Sequence, residues 1–349
     1  MKTGKSIVEL AQELTRQKEA KKDFVADTRQ LSMTDDADMD IEGFGAMPLT
    51  EHAHRQVGQK VDIPAKYYDK MRSEAPHLLA ENVNHWFTEK PERRMVRTLD
   101  GQVRAMLSES YRPLDNFDLA EAVLPKIAEM GCEVMSSEIT ATRMYLKCVT
   151  SRITAEVAKG DIVQAGIIVS NSEVGAGSLR VEPLVYRLVC LNGMIANDYA
   201  MRKNHVGRKY VVNEANPSAE VFFRDETRQA DDKAFFLKVQ DTVAATMDEV
   251  KFRTIVGKMH ESTERKIEID PVKMVEQVSK TFSLNEGEQA GFLGNLISGG
   301  MLTQYGVGNA LTRMAQDVES YDRSIELERA GGDVILLPQN SWKAMNKAS

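Results

Sequence analysis

Residues 93–107 read RRMVRTLDGQVRAML, and this stretch decides the fold of the middle of the chain. Two short runs, 94–99 and 102–107, are separated by Asp100-Gly101. Asp-Gly is a favoured pair for a two-residue type I′ turn, because its twist matches the twist of the flanking strands. The sequence therefore predicts a β-hairpin at this point.

The segments that follow the hairpin first have a helix pattern and then strand patterns. Asp115-Asn116 caps a predicted helix, and Pro125 inside it is expected to kink the helix or split it in two. Strand patterns then follow within residues 132–150, at 162–170 and at 184–190, with a Gly/Ser loop at 171–178 between the last two. Segregated strands of this kind are typical of an α+β fold with a mainly antiparallel sheet.

Four regions are predicted along the chain. Residues 1–48 are expected to form a polar arm that is mobile or docks weakly, 49–92 a helical segment, 93–213 a strand-rich central domain, and 214–349 a mainly helical region. In the last region we expect a helix interrupted near Gly306 and Gly308, and an edge strand at 334–337. The predicted fold is α+β, with a central mainly antiparallel sheet, one inserted helix, and helical regions on either side.

The composition excludes some classes of function. The formal net charge of −7 over 349 residues excludes a large, evenly basic surface for nucleic acid, although it permits a local basic patch. The three cysteines form no CxxC pair, which argues against a zinc knuckle or a disulfide framework and favours a reducing cytoplasm. We see neither a signal-peptide pattern nor a run of about 18 apolar residues, so no membrane association is expected.

Three segments of the sequence resemble the DUF932 family, whose members are described as phage/plasmid-like proteins. They are residues 103–108 with 111–116, residues 187–194, and residues 308–312, and the likeness runs from about residue 49 to about residue 332. The resemblance implies a mobile-element context, but it implies no reaction and assigns no catalytic residue. The order of hairpin, helix and strands also resembles, in outline, the strand-annealing proteins of phages.

Basic and aromatic residues are interleaved in the middle of the chain. Strand alternation places Arg143, Tyr145 and Lys147 on one face of a predicted strand. Single-stranded nucleic acid needs cations that follow its phosphates and flat rings that stack on its bases. We therefore predict a binding surface made by Arg94, Arg97, Arg104, Arg143, Tyr145, Lys147, Arg187, Arg202, Lys203, Arg208 and Lys209. The alternative is a solvated sheet face and a basic loop that pairs with acidic helices.

A second candidate is a ligand site within the family-like motifs, at Tyr111, Arg112, Asn192 and Gly193. Asn192-Gly193 is predicted to be a turn, and the nearby Cys190 is expected to be an inert thiol in a buried strand. Glycine loops at 174–178 and 306–309 lack the GK[ST] of a P-loop and are interpreted as turns. The histidines are scattered, so we expect no metal and no other cofactor.

These patterns favour three functions, in decreasing order. The first is non-enzymatic binding of single-stranded nucleic acid in the recombination or strand annealing of a phage or plasmid. The second is a protein-interaction or structural module of a mobile element, which the 18 methionines favour because Met suits adaptable surfaces. The third is an enzyme that processes a nucleotide or nucleic acid. The partners to test are single-stranded DNA, phage or host proteins, and a second copy of the chain.

Overall fold

A computed structural model of the protein describes residues 1–111, 114–196, 201–203 and 225–347. The helices are α1 (Ile7–Ala20), α2 (Glu51–Lys60), α3 (Ala65–Glu74), α4 (Pro76–Glu89), α5 (Asn116–Glu129), α6 (Asp225–Thr246), α7 (Glu249–Glu264), α8 (Pro271–Phe282), α9 (Glu286–Gly299), α10 (Gln304–Met314), α11 (Tyr321–Leu336) and α12 (Gln339–Met345). The strands are β1 (Lys22–Asp27), β2 (Leu31–Met33), β3 (Met39–Ile41), β4 (Gly45–Met47), β5 (Arg93–Leu99), β6 (Gln102–Ser108), β7 (Glu133–Ile139), β8 (Met144–Glu156), β9 (Ile162–Asn171), β10 (Leu179–Arg187), β11 (Asn192–Ile195) and β12 (Met201–Lys203).

The central sheet has the strand order β11-β10-β9-β8-β7, and β12 also pairs with β10. Every neighbouring pair of strands in it is antiparallel. Helix α5 is inserted between the hairpin and this sheet, as the sequence predicts. The combination of helices with antiparallel sheets confirms the predicted α+β class.

The predicted hairpin is present as β5 and β6. Asp100 and Gly101 have φ angles of 53° and 75°, the left-handed pair that a type I′ turn requires. The hairpin does not join the central sheet, however, because β5 pairs with β1 to make a separate three-stranded sheet. We call this the hairpin sheet.

Residues 1–48, for which we expected a loosely docked arm, pack into the rest of the chain. Leu10 and Leu14 of α1 are buried in the core of the central sheet. Strands β2, β3 and β4 form a third sheet, which packs with α2, α3 and α4 around Met39 and Val57. The region therefore contributes to two cores, although its composition is polar.

Two predictions in the C-terminal region are wrong. Gly306 and Gly308 lie inside α10 and do not interrupt it. A Cβ atom at Gly308 would lie 2.7 Å from the carbonyl oxygen of Gly331, so this glycine lets α10 and α11 approach closely. Residues 334–337, predicted as an edge strand, form the end of α11, because a short apolar run suits a buried helix equally well. Pro125 does not split α5, which is one helix over Asn116–Glu129; a kink at Pro125 stays a prediction.

Helices cover both faces of the central sheet. On one face, Leu146 and Ile167 belong to a core that includes residues of α1, α5, α6 and α7. On the other face, Ile168 packs with Tyr321 and Ile325 of α11. A sheet covered on both faces has no solvated side, so strand alternation predicts which residues project together but not whether they reach solvent.

The edges of the central sheet are covered as well. At the β7 edge, the Lys5 backbone N–H donates to the Ser137 carbonyl at 2.6 Å. At the β11 edge, a Cβ atom on Gly332 of α11 would collide with the carbonyl oxygen of Ile195. Covered edges protect a sheet from pairing with other chains. Within the part of the chain that the structure describes, no helix is both long enough and apolar enough to cross a membrane.

Candidate nucleic-acid interface

Tyr145 and Lys147 project from the same face of β8, as predicted, but that face is buried under α11. Lys147 Nζ donates to Glu328 Oε1 at 2.8 Å, and neither side chain reaches solvent. Burial lowers the pKa of Lys147 in spite of its attraction to Glu328. The Tyr145 hydroxyl donates to Asp322 Oδ1 at 2.7 Å. Their assignment to a nucleic-acid surface is therefore wrong, because the cation and the ring are both enclosed.

Arg97 of β5 and Arg104 of β6 are both buried. Arg97 Nη2 lies 2.7 Å from carboxylate oxygens of both Asp23 and Asp115. Arg104 Nη2 lies 2.7 Å from Glu173 Oε2. Burial alone would raise the pKa of Asp115, but Arg97 holds it below its ordinary value. These internal ion pairs join the hairpin sheet to the start of α5 and to the loop after β9, so the assignment of the two arginines to the binding surface is also wrong.

Arg94 and Arg187 are paired with carboxylates too. Arg94 Nη2 pairs with Glu92 at the start of the hairpin. Arg187 Nε lies 2.5 Å from Asp161 Oδ1, and the Tyr305 hydroxyl donates to Asp161 Oδ2 at 2.7 Å. Neither arginine carries the unneutralised charge on which its assignment depended.

Four arginines lie near one end of the central sheet, and we call them the arginine corner. Arg143 directly precedes β8, and its Nη2 donates to the carbonyl of Ala176. Arg180 of β10 lies directly opposite Arg202 of β12 in the strand register. The fourth is Arg329 of α11. The corner combines two residues that the sequence predicts, Arg143 and Arg202, with two that it misses.

The strand register sets the spacing of the arginine corner. Tyr145 of β8 pairs with Ser170 of β9, and Ser170 pairs with Arg180 of β10. Neighbouring strands lie about 4.8 Å apart, so β8 and β10 are separated by about 10 Å across the sheet. Arg143 also lies two residues before Tyr145 along the chain, so the backbones of Arg143 and Arg180 are on the order of 12 Å apart. The corner is therefore small compared with the eleven-residue surface that the sequence predicts.

Two carboxylates, Glu182 and Asp322, lie on the same side of the sheet as the arginine corner. Glu182 is buried, accepts from Nε and Nη2 of Arg329, and lies 3.9 Å from Arg180 Nη1. Asp322 accepts from Tyr145 on the same side of the sheet. Glu182 therefore pairs with Arg329 and also lies near Arg180, inside the group of arginines.

The remaining predicted cations are only partly described. Arg112, Arg208 and Lys209 lie outside the described residues. Lys203 stands opposite Leu179 in the register of β12 and β10. Arg180 could have been found from the sequence, because it alternates with the buried Leu179 and Val181. Arg329 had no such signal, since only the packing of α11 brings it to the sheet.

The second candidate site, at Tyr111, Asn192 and Gly193, is structural where it is described. The Tyr111 hydroxyl donates to the Ser172 carbonyl at 3.2 Å, and burial raises the pKa of Tyr111 to about 12. Asn192 Nδ2 donates to Thr312 Oγ1 at 2.6 Å. Asn192 and Gly193 belong to β11 and are not a turn; the turn before β11 holds residues 188–191.

Polar residues of the family-like motifs make buried hydrogen bonds to other parts of the chain. The Asn192–Thr312 bond joins the motif at 187–194 to the motif at 308–312. Two residues of the first motif are bound by Asn171 at the end of β9, whose Nδ2 donates to Leu114 O at 2.7 Å and to Asn116 Oδ1 at 2.8 Å. Their polar side chains hold the fold together, which is a sufficient reason for their presence without a ligand.

Cys190 differs from its prediction. It lies half-buried in the turn that follows β10, and not inside a buried strand. Arg187 Nη1 contacts its Sγ at 3.4 Å. In the described ranges, no three His, Cys, Asp or Glu side chains are grouped so that they would hold a metal ion.

A family model described as "Domain of unknown function (DUF932)" matches residues 104–331, which is more than half of the chain. The chain belongs to the DUF932 family. The match to DUF932 begins inside β6, ends inside α11, and includes all four arginines of the corner. No curated protein and no solved structure matches the chain. DUF932 carries no activity in its description, so the function has to be argued from the geometry.

Proposed function

We propose that this DUF932 protein binds single-stranded nucleic acid at the arginine corner, and not across the face of its central sheet. The observation that carries the proposal is the register that sets Arg180 opposite Arg202. Arginine positions that face each other on neighbouring strands are close enough for one phosphate to be bound from both. Arginine suits this role because its planar guanidinium binds phosphate oxygens in pairs.

The charge of the whole molecule favours a short, flexible strand as the ligand. The net charge of −7 disfavours a long duplex, whose dense line of phosphates would run along an acidic molecule. A single strand can place a few phosphates at the corner and bend away from the carboxylates elsewhere. A role in recombination or strand annealing within a mobile element is part of this proposal.

Salt dependence provides the first test. Fluorescence anisotropy with a labelled single-stranded oligonucleotide of about 20 nucleotides measures the dissociation constant at 50 mM and 200 mM salt. Contacts with three phosphates should weaken binding about 20-fold over this range, because each contact releases condensed counterions. Absence of binding at 50 mM salt would end the proposal.

Charge reversal provides the second test. Arg143→Glu and Arg202→Glu should each weaken binding at least about tenfold, since each replaces an attraction to phosphate by a repulsion. The matched control is Lys273→Glu on α8, an exposed lysine outside the corner that undergoes the same change of charge. If Lys273→Glu weakens binding as much as the corner variants do, the loss of affinity comes from the change in net charge and not from the corner. Thermal unfolding of each variant checks that it is folded.

A further inference from the structure

We infer that the loop between β9 and β10, together with Arg143, binds a terminal phosphate group of the nucleic-acid strand. This inference rests on the proposed binding at the arginine corner, and it names the part of the ligand that is held there. The loop sequence at 174–178, VGAGS, is not a P-loop, but its last two residues, Gly177 and Ser178, offer donors to a phosphate.

Gly177 and Ser178 leave their hydrogen-bond donors free. Within the described part of the chain, neither backbone N–H has an acceptor, and the Ser178 hydroxyl has no partner. By contrast, the Ala176 N–H, one residue earlier, donates to Ser172 Oγ at 2.9 Å. Gly177 and Ser178 are both partly exposed, so a ligand can reach them. Successive backbone N–H groups in a turn are a recurrent arrangement for binding an anion.

Arg143 lies against the same loop. Its Nη2 donates to the Ala176 carbonyl, and a Cβ atom on Gly177 would lie 2.7 Å from this nitrogen. The guanidinium therefore packs on the α-carbon of Gly177, where a side chain would displace it. Among the described residues, Nε and Nη1 of Arg143 have no acceptor, and the side chain is half-buried. A positioned cation with free donors thus lies beside Gly177 and Ser178, and such donors bind phosphate oxygens strongly.

Ser178 lies on the same side of the sheet as the arginine corner. It directly precedes β10 and is two residues before Arg180. Side chains two residues apart in an extended chain project from one face, so the Ser178 hydroxyl lies on the side of Arg180. A strand that ends at the loop then places its next phosphates toward Arg180 and Arg202, which face each other in the register.

The two carboxylates on this side of the sheet are bound by other residues. Asp322 Oδ1 accepts from the Tyr145 hydroxyl at 2.7 Å. Glu182 accepts from Nε and Nη2 of Arg329. In the described ranges, neither carboxylate pairs with Arg143, so a phosphate at the loop does not have to displace an ion pair of that arginine.

The number of donors decides which phosphate is bound. The site offers two N–H groups, one hydroxyl and the free side of a guanidinium. A phosphate inside a strand has two free oxygens and one negative charge, whereas a terminal phosphate has three free oxygens and a charge of about −1.5 to −2 at pH 7. The terminal phosphate therefore matches the donors better. Either end of a strand, or a free nucleotide, carries such a group, so the test compares all three.

Matched ligands test the inference on the full chain. Calorimetry at 50 mM salt, where phosphate contacts are strong, measures the dissociation constants of single-stranded oligonucleotides of one sequence with a 5′-phosphate, a 3′-phosphate or hydroxyls at both ends. At least one phosphorylated strand should bind at least fivefold tighter than the hydroxyl-ended strand, because of the added charge-assisted hydrogen bonds. A nucleoside monophosphate is the fourth ligand, and it should bind more weakly than that strand.

The outcomes separate this inference from the proposed function. Equal affinity for all three strands overturns the inference and leaves the proposed function standing. Binding of the phosphorylated strands alone supports the inference and overturns the proposed binding of phosphates within a strand. If no strand binds, both are overturned. A nucleoside monophosphate that binds as tightly as the phosphorylated strands overturns the assignment to a strand end.

Two variants of the loop locate the site. Gly177→Ala keeps every charge but adds a methyl group 2.7 Å from Arg143 Nη2, so the guanidinium has to move. Ser178→Ala removes the hydroxyl. Each should lower the preference for the phosphorylated strand to less than half of its original ratio, and Ser178→Ala should change the affinity for the hydroxyl-ended strand less than twofold. A merely structural role would weaken the binding of both strands equally and leave the ratio unchanged.

Matched controls lie outside the loop. Gly257→Ala in α7 adds a methyl group where nothing lies within 4 Å, and Ser151→Ala in β8 removes an exposed hydroxyl. Both controls should keep the full preference for the phosphorylated strand, and thermal unfolding checks that all four variants fold. A preference that persists in both loop variants, or that is lost equally in the controls, overturns the inference.

Discussion

Lys147 Nζ and Glu328 Oε1 lie 2.8 Å apart across 181 residues of sequence, and both side chains are fully buried. This pair ties α11 to the central sheet. Removing one member of a buried pair leaves an uncompensated charge, which typically costs about 3–5 kcal/mol. We expect Glu328→Gln to lower the free energy of unfolding by about 3 kcal/mol, measured by urea denaturation.

The matched experiment replaces both members of the pair. Lys147→Met combined with Glu328→Leu removes both charges and keeps the volume, so most of the lost stability should return. If the double variant is as unstable as Glu328→Gln, then the ion pair is not the origin of the effect.

Leu191→Asn should stabilise the protein. A left-handed backbone costs a bulky L-residue about 1–2 kcal/mol, whereas asparagine tolerates it. We expect a gain of about 1 kcal/mol in the free energy of unfolding, because the leucine is mostly exposed and little burial is lost. Val189→Asn is the control, since Val189 is similarly exposed but does not have a positive φ. Equal changes in both variants would show that Leu191 is not strained.

His54 should make stability depend on pH. It is buried in α2, Nδ1 lies 3.0 Å from the Tyr68 hydroxyl, and burial lowers the pKa of His54 to about 4. In the unfolded chain a histidine has a pKa of about 6.5, so the unfolded state takes up the proton first as the pH falls. The free energy of unfolding should therefore decline by about 1–2 kcal/mol between pH 7 and pH 5.

Substitution isolates this effect. In His54→Gln, the free energy of unfolding should fall by about 1–2 kcal/mol less between pH 7 and pH 5 than in the unchanged protein. Urea denaturation at each pH measures this. His77→Gln, at an exposed histidine, should retain the full decline. If the free energy of unfolding falls just as much in His54→Gln, then another titratable group causes the pH dependence.

Gly308→Ala should destabilise the packing of α10 on α11. The added methyl would lie 2.7 Å from the Gly331 carbonyl, which is backbone and cannot turn away, and would also meet Ile335. Overpacking of this kind costs about 1–3 kcal/mol. Gly294→Ala in α9 is the control, because nothing lies within 4 Å of that position. Alanine there should be neutral or stabilising, and a loss at Gly294 equal to that at Gly308 would exclude the steric explanation.

Local chemistry explains which parts of the fold could be predicted. Asp100-Gly101 determines its own turn, and the alternation around Tyr145 places side chains on the correct faces. Both depend on neighbours within a few residues. The class of the fold follows from such patterns, since strands and helices are segregated along the chain.

Contacts between distant residues explain what could not be predicted. Lys147 looks solvated in the sequence because its partner, Glu328, comes from a helix near the other end of the chain. Arg97 looks like a surface cation for the same reason, as Asp23 and Asp115 approach it only in the folded protein. β1 has little alternation of its own and is a strand because β5 pairs with it.

The separate hairpin sheet extends beyond the residues that match the family. The DUF932 match starts at residue 104, within β6, yet β6 takes its hydrogen bonds from β5, and β5 from β1. The match also stops at residue 331, before α11 ends at Leu336. A protein that contained only residues 104–331 would lack β1 and β5, two of the three strands of the hairpin sheet, and the end of α11. The segment that matches the family is thus smaller than the sheet to which β6 belongs, and expression of this protein for biochemistry should begin upstream of β1.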